Sequence, residues 1–272
     1  MPQVAVVRAD NPGPMTLDGT RSYVLRAPDS ASCVVVDPGP DDAQHLATLA
    51  EAGPVELVLV THRHADHTAG SARLRELTGA PVRAADPQHC HGGDPLRDGE
   101  TIEAAGVRID VLATPGHTAD SVSFVATSPG EEPVVLTGDT VLGRGTTVLA
   151  EPDGSLRDYL GSLDVLERVG DGRVGLPAHG PVVDDLGVAV RAYRDHRLQR
   201  LDQVRQALVT LGLDPGDPGD PAGPAGPAGP GDPDAVADAV VAHVYADVDP
   251  SVRRAARQSV VAQLAYLRDP TA

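Results

Sequence analysis

The sequence predicts an α/β unit over residues 1-187 followed by a small helical unit over 188-272, and three observations carry that expectation. Short Val-rich runs alternate with turn signals through the first part of the chain. Apolar residues then recur at helical spacing from Ala189 to Gly212. Finally, 214-DPGDPGDPAGPAGPAGPGDPD-234 places a proline at every third position, which neither a helix interior nor a ladder-forming strand tolerates.

Taken in order, 33-CVVVDPG-39, 55-VELVLVTH-62, 81-PVRAAD-86 and 107-VRIDVLA-113 read as strands. Between them, 41-DDAQHLATLAEAG-53 and 67-HTAGSARLRELTGA-80 read as helices, each ending near a glycine suited to a C-cap. Further strands are expected at 121-SVSFVA-126, 133-PVVLTGD-139 and 173-RVGLPAHG-180. The helix from Ala189 should bury Val190, Tyr193, Leu198, Leu201, Val204, Leu208 and Leu211. The Pro/Gly-rich stretch at 214-234 reads as an exposed linker. Beyond it, Asp234 can cap one helix carrying Val236, Val240 and Val244, and 249-DPSV-252 can open another burying Val252, Ala256, Val260, Leu264 and Leu267.

Composition narrows the function classes. A formal charge of −17 repels polyanions at long range, and with one phenylalanine, five tyrosines and no tryptophan there is little to stack on bases. Two cysteines make no disulfide scaffold in a chain of 272 residues. The start, MPQVAVVRADNPGP, has no signal-peptide pattern, and the longest apolar run, 55-VELVLV-60, falls far short of the roughly 20 residues of a membrane helix. A cytoplasmic protein without a membrane partner is expected.

The segment 61-THRHADHTAG-70 concentrates chemistry: His62, His64, Asp66 and His67 lie within six residues just past a strand. Imidazole and carboxylate are the ligands of zinc-like ions, and two ions need more ligands than one segment can supply. Others are offered by 114-TPGHT-118 with His117, 137-TGDT-140 with Asp139 and 177-PAHGP-181 with His179, each in a glycine-bearing loop after a strand-like run. The tripeptide 89-HCH-91 reads as a polar surface loop, since no further cysteine lies nearby.

The ordered set THRHADH, TPGHT, TGDT and PAHG resembles the metallo-β-lactamase fold superfamily over about residues 12-187. The resemblance implies a four-layer αβ/βα sandwich with a small helical, winged-helix-like C-terminal domain. It also implies that His62, His64 and His117 bind one ion, that Asp66, His67 and His179 bind the other, and that Asp139 bridges them. Two zinc ions are the expected cofactors, with manganese or iron compatible with the same ligands. A water shared by two such cations would lose a proton near neutral pH, with Asp66 orienting it as the catalytic residue. Asp37 in 36-VDPG-39 matches a position that holds a ligand histidine, or is an ordinary turn aspartate.

Variation within the superfamily narrows the chemistry. Oxygen-reducing diiron members carry a glutamate where His64 stands, and β-lactamases generally lack the bridging aspartate. Members of the glyoxalase II and phosphodiesterase kinds keep both features, which implies hydrolysis. The stretches 11-NPGPMTLDGTRSYVL-25, 196-HRLQRLDQV-204 and 243-HVYADVDPSVRRAARQSVVAQLAYL-267 resemble the β-lactamase-like protein 2 group, whose activities include single-stranded RNA cleavage and acyl thioester hydrolysis. That group's usual asparagine is replaced by Arg21 in 19-GTRSY-23, either a clamp for an anionic substrate or a solvent-facing side chain. Residues 1-190 hold 13 arginines against 28 acids, a balance of −15, whereas 191-212 hold five arginines against two aspartates. A small ester or acyl thioester is therefore expected ahead of RNA, and a non-catalytic metal-binding module comes third.

Overall fold

The structure is a computed structural model that describes residues 3-149, 152-214, 233-246 and 253-268. The first sheet runs β1 (Gln3–Arg8), β2 (Arg21–Arg26), β3 (Cys33–Val36), β4 (Val55–Leu59), β5 (Val82–Arg83), in that spatial order. Its first two pairings are antiparallel, and β3·β4 and β4·β5 are parallel. The second sheet has the order β10 (Gly175–Pro177), β9 (Val134–Gly138), β8 (Val122–Thr127), β7 (Val107–Ala113), β6 (Thr101–Ala104), with only β10·β9 parallel.

Period-2 alternation explains the layering. Val34 and Val36 turn inward and meet Ile109, Val111, Phe124 and Leu136 of the facing sheet. Their neighbours Cys33 and Val35 turn outward and are equally buried, under α1 (Ala43–Glu51) and α3 (Ser71–Thr78). On the other outer face, Val125 and Val135 are covered by α4 (Leu156–Gly170) and α5 (Leu186–Leu211). Each fully buried aliphatic side chain contributes roughly 1.5–3 kcal/mol, so the sandwich rests mainly on valine and leucine, joined by the buried rings of Tyr23, Phe124, Tyr159 and Tyr193. Caps fix the helix starts: Asp42 accepts from the His45 amide, Ser155 from Asp158 and Asp185 from Val188.

Several elements depart from expectation. The helix read at 67-80 is two pieces, α2 (Ala65–Thr68) and α3, divided at Gly70. A Cβ at Gly70 would lie 2.7 Å from Leu46 Cδ2 and 3.0 Å from the Pro40 carbonyl, so the chain turns where only glycine fits against α1. β1, β2, β6 and α4 are additional to the expected elements, and the strand at 81-86 is only two residues long. On α5, Leu198 and Leu211 are exposed while Arg197 is 4% exposed. The steps from Tyr193 to Arg197 to Leu201 are four residues each, so Arg197 holds the inward position assigned to Leu198.

The C-terminal helices α6 (Pro233–Val244) and α7 (Arg253–Arg268) pack on the end of α5 through Val204, Leu208, Ala237, Val240, Val260 and Leu264. Asp234 lies inside the first turn of α6, not at its cap. Residues 215-232, most of the expected linker, lie outside the described residues, as do the expected cap Asp249 and Val252. Among the described residues no helix is long and apolar enough to cross a membrane.

Candidate metal centre

The sheets deliver their polar loops to one edge. Asp37 follows β3, His62 lies three residues past β4, His117 sits between β7 and β8, Asp139 directly follows β9, and His179 lies two residues past β10. Two sets of ligand atoms result, each mutually within 4.8 Å: His62, His64, His117 and Asp139 in one, and Asp66, His67 and His179 in the other. All seven residues singled out from sequence meet in this cluster.

In the first set, His64 Nδ1 lies 3.0 Å from both His62 Nε2 and His117 Nε2. Three imidazole nitrogens thus converge on one point. The far nitrogen of His117 is committed elsewhere, since Nδ1 donates to the Val148 carbonyl at 2.8 Å, so Nε2 presents its lone pair inward. Asp139 spans the two sets. Its Oδ2 lies 3.6 Å from His117 Nε2 and 4.0 Å from His62 Nε2, while its Oδ1 lies 3.3 Å from His179 Nε2 and 3.7 Å from His67 Nε2.

The second set is braced from behind. Asp37 is 2% exposed and adopts φ 55°, an unusual backbone for a non-glycine residue. Its Oδ1 accepts from the Thr61 amide at 2.7 Å, and its Oδ2 accepts from the Thr61 hydroxyl at 2.8 Å and from His67 Nδ1 at 2.9 Å. When His67 is neutral, Nε2 is therefore the acceptor facing the cluster, and it is buried and without a hydrogen-bond partner. Thr20 donates to Asp66 Oδ2 at 2.8 Å, a contact across 46 residues that no local sequence pattern announces.

Electrostatics divide the cluster. Burial, aided by His67 for the first and His117 for the second, pushes His62 well below the usual histidine range and His64 down to about 4, so both rings are neutral with lone pairs available. Burial would also lower His179 and His67, but the carboxylates outweigh it. Asp139 and Asp66 raise His179 to about 9, and Asp37 and Asp139 hold His67 well above its ordinary value. Conversely, burial would raise Asp66 and Asp139, yet the imidazoles of His179 and His67 beside them hold both far below the carboxylate range. Buried carboxylates facing convergent ring nitrogens, with Nε2 of His67 and Oδ1 of Asp139 otherwise unpartnered, are a donor set suited to divalent cations.

Arg21 is neither free nor at the cluster's centre: Nη2 pairs with Asp18 at 3.2 Å, and the side chain is 17% exposed. Its backbone amide donates to the Ala178 carbonyl, tying β2 to the loop of His179. Near 89-HCH-91, Cys90 Sγ closes a local turn with Ala84, and none of the three residues joins a ligand cluster among the described residues. His45 is buried against the Ser22 hydroxyl at 2.8 Å.

Residues 15–179 match the profile of the Metallo-beta-lactamase superfamily. The chain belongs to that superfamily. Residues 237–269 match the Beta-lactamase associated winged helix domain, in agreement with the expected C-terminal unit. An "Atrochrysone carboxyl ACP thioesterase" of Aspergillus chevalieri is 35% identical over 76% of this chain and 66% of its own length. The "Beta-lactamase-like protein 2 homolog" of Caenorhabditis elegans is 31% identical over 72% of this chain and 68% of its own. The chain thus spans about two thirds of the length of these relatives. A metallo-beta-lactamase family protein from Thermus thermophilus superposes with a TM-score of 0.71 at 23% identity, covering 97% of this chain and 93% of that one, and shares the fold.

Proposed function

We propose that the chain is a dinuclear metal-dependent hydrolase of a small ester or acyl thioester. His62, His64 and His117 would hold one ion, Asp66, His67 and His179 the other, with Asp139 between them. The observation that carries this reading is Asp139, whose Oδ2 faces the first set of imidazoles and whose Oδ1 faces the second. Zinc suits these ligands, and manganese or iron would be accepted by the same atoms. Such a pair of cations supplies Lewis acidity and an acidified water when bound.

The protein's own residues supply orientation. Asp37 fixes the tautomer of His67, and the Val148 carbonyl fixes that of His117. Asp66 is the more exposed of the two ligand carboxylates, 26% against 10% for Asp139. With its Oδ2 engaged by Thr20, Oδ1 is the atom assigned to orient the attacking water. Arg21, tied to Asp18, is placed to hold a loop in position more than to grip a substrate. Division of the chain at 187/188 places the ligand loops in the first domain and most of α5 in the second.

Thioester chemistry is supported by relatives named as acyl carrier protein thioesterases. RNA cleavage is the weaker reading, because much of the basic charge on α5 is already neutralised. Arg194 pairs with Asp164 at 2.7 Å and Glu167 at 3.2 Å, Arg191 with Asp171 at 3.3 Å, and Arg205 with Asp202 at 3.0 Å. The test is a panel of acyl thioesters, activated esters and single-stranded RNA, assayed with chelator and with zinc or manganese restored. Thioester or ester turnover with weak salt dependence is expected. Efficient metal-dependent RNA cleavage with negligible ester turnover would reverse the assignment.

A further inference from the structure

A cavity of about 270 Å³ lies where α5 and α7 meet the 146-148 loop, lined by Thr147, His196, Arg197, Arg200, Tyr245 and Gln263 among others. In an acidic protein its lining is all cationic or neutral: no carboxylate faces it among the described residues. The arginines of α5 separate accordingly. Arg191, Arg194 and Arg205 pair with acids, whereas Arg197 and Arg200 have no carboxylate partner among the described residues. Arg200 Nη1 donates to Gln203 Oε1 at 2.8 Å and stacks 5.3 Å from the centre of the Tyr245 ring.

One lining donor is nearly completely buried and left unmatched: Nε of Arg197, 4% exposed, whose Nη2 donates to the Thr147 carbonyl and whose guanidinium lies 5.0 Å from the centre of the Tyr159 ring. A buried guanidinium without an anion is a costly arrangement that a ligand can relieve. The field of the two cations is also felt by His196, held below its ordinary value by burial and then by Arg197 and Arg200. Finally, the cavity is tied to the metal centre. Its Thr147 and Val148 wall is the strap that positions His117, through the Val148 carbonyl at 2.8 Å and the Thr147 hydroxyl at 3.1 Å.

We propose that this cavity is an anion subsite for the phosphate end of the thiol arm of an acyl thioester, Arg200 and Arg197 receiving the phosphate while the acyl end reaches the metal centre. The volume fits this division of labour: it is below the range of a site enclosing a whole drug-sized ligand, and sufficient for a phosphate and its first substituents. The proposal rests on the thioesterase reading for the acyl end but not for phosphate binding itself.

Titration calorimetry of the metal-loaded full chain with 4′-phosphopantetheine and with pantetheine tests it. The phosphorylated thiol should bind roughly 10- to 100-fold more tightly, the scale of a charge-assisted contact. Arg200→Ala should abolish the difference, and Arg205→Ala, on the same helix but paired with Asp202, should preserve it. Kinetically, Arg200→Ala should raise KM about tenfold for an acyl-phosphopantetheine with kcat kept, and leave an acyl-N-acetylcysteamine unchanged. Comparing acyl-coenzyme A with an acyl carrier protein then distinguishes a free from a protein-borne arm. Equal binding of the two thiols, or equal weakening of both by Arg200→Ala, would overturn the proposal, as would Arg200-dependent binding of single-stranded RNA but of neither thiol. Absence of thioester turnover with phosphate-selective binding intact would instead strike the thioesterase reading alone.

Discussion

Replacing Asp37 by asparagine separates orientation from ligation, because Asp37 touches no ion in the proposed arrangement yet fixes the ring of one residue that does. Its Oδ2 accepts the His67 Nδ1 proton at 2.9 Å, which leaves Nε2 as the nitrogen that gives up its proton and turns a lone pair to an arriving cation. Asparagine can keep its carbonyl on the Thr61 amide, but then presents an NH2 donor where Oδ2 stood. The Thr61 hydroxyl can rotate to accept, whereas His67 must move its proton to Nε2, the atom proposed to bind the cation. Loss of such a supporting contact lowers metal affinity by about 10- to 100-fold, or about 1.4–2.7 kcal/mol. Stability of the metal-free protein should fall by about 1.5–3 kcal/mol, the scale of one buried hydrogen bond to a charged group. Asp37→Ala differs: three buried donors lose their acceptor at a backbone φ of 55°, and about 4 kcal/mol should be lost. Zinc calorimetry on metal-free protein beside thermal melts reads both quantities. Wild-type affinity for both ions in Asp37→Asn would refute the reasoning.

Gly116 has φ 128°, and a Cβ there would run into the Tyr159 backbone of α4, so Gly116→Ala should lose about 3 kcal/mol in a denaturant melt and disturb the adjacent His117. Leu163→Ala, at a fully buried position under the second sheet, should lose about 2–5 kcal/mol in the same melt without altering metal stoichiometry. Because His179 is raised to about 9 and His67 is raised as well, an arriving cation must displace protons. Metal affinity should climb with pH toward about 9, and calorimetry in buffers of different ionisation enthalpy should show proton release. In the metal-free protein the sign reverses: the His179 contribution is complete below the unfolded histidine pKa of roughly 6.5 and is lost as pH rises through about 9, so the Tm of chelated protein should fall across that window.

The proposed ligand set is legible in the sequence because its residues sit in short loops directly after valine-rich strands, so spacing and strand pattern point to the same edge. The supporting contacts are not. Thr20 reaches Asp66 across 46 residues, and the Val148 carbonyl reaches His117 across 31, through packing that no local periodicity encodes. β1 has mostly exposed or half-buried residues, the profile of an edge strand, which gives only weak alternation. α4 carries a readable signal, Ser155 as cap with Leu156, Tyr159, Leu163 and Leu166 at helical spacing, diluted by Gly161 and by polar Arg157 and Asp158 in its first turn. Arg197 misleads for a physical reason: an arginine at an inward helical position looks like a solvated face until α7 and the 146-148 loop are seen to cover it.

The central claim is that one carboxylate joins two metal sites, and metal content per chain after reconstitution tests it most directly, measured by elemental analysis on wild type and Asp139→Ala. About two equivalents in the wild type are predicted, with a drop in both occupancy and turnover on removing Asp139. A wild type that takes up no more than one equivalent, or an Asp139→Ala variant that keeps two with unchanged turnover, would contradict it.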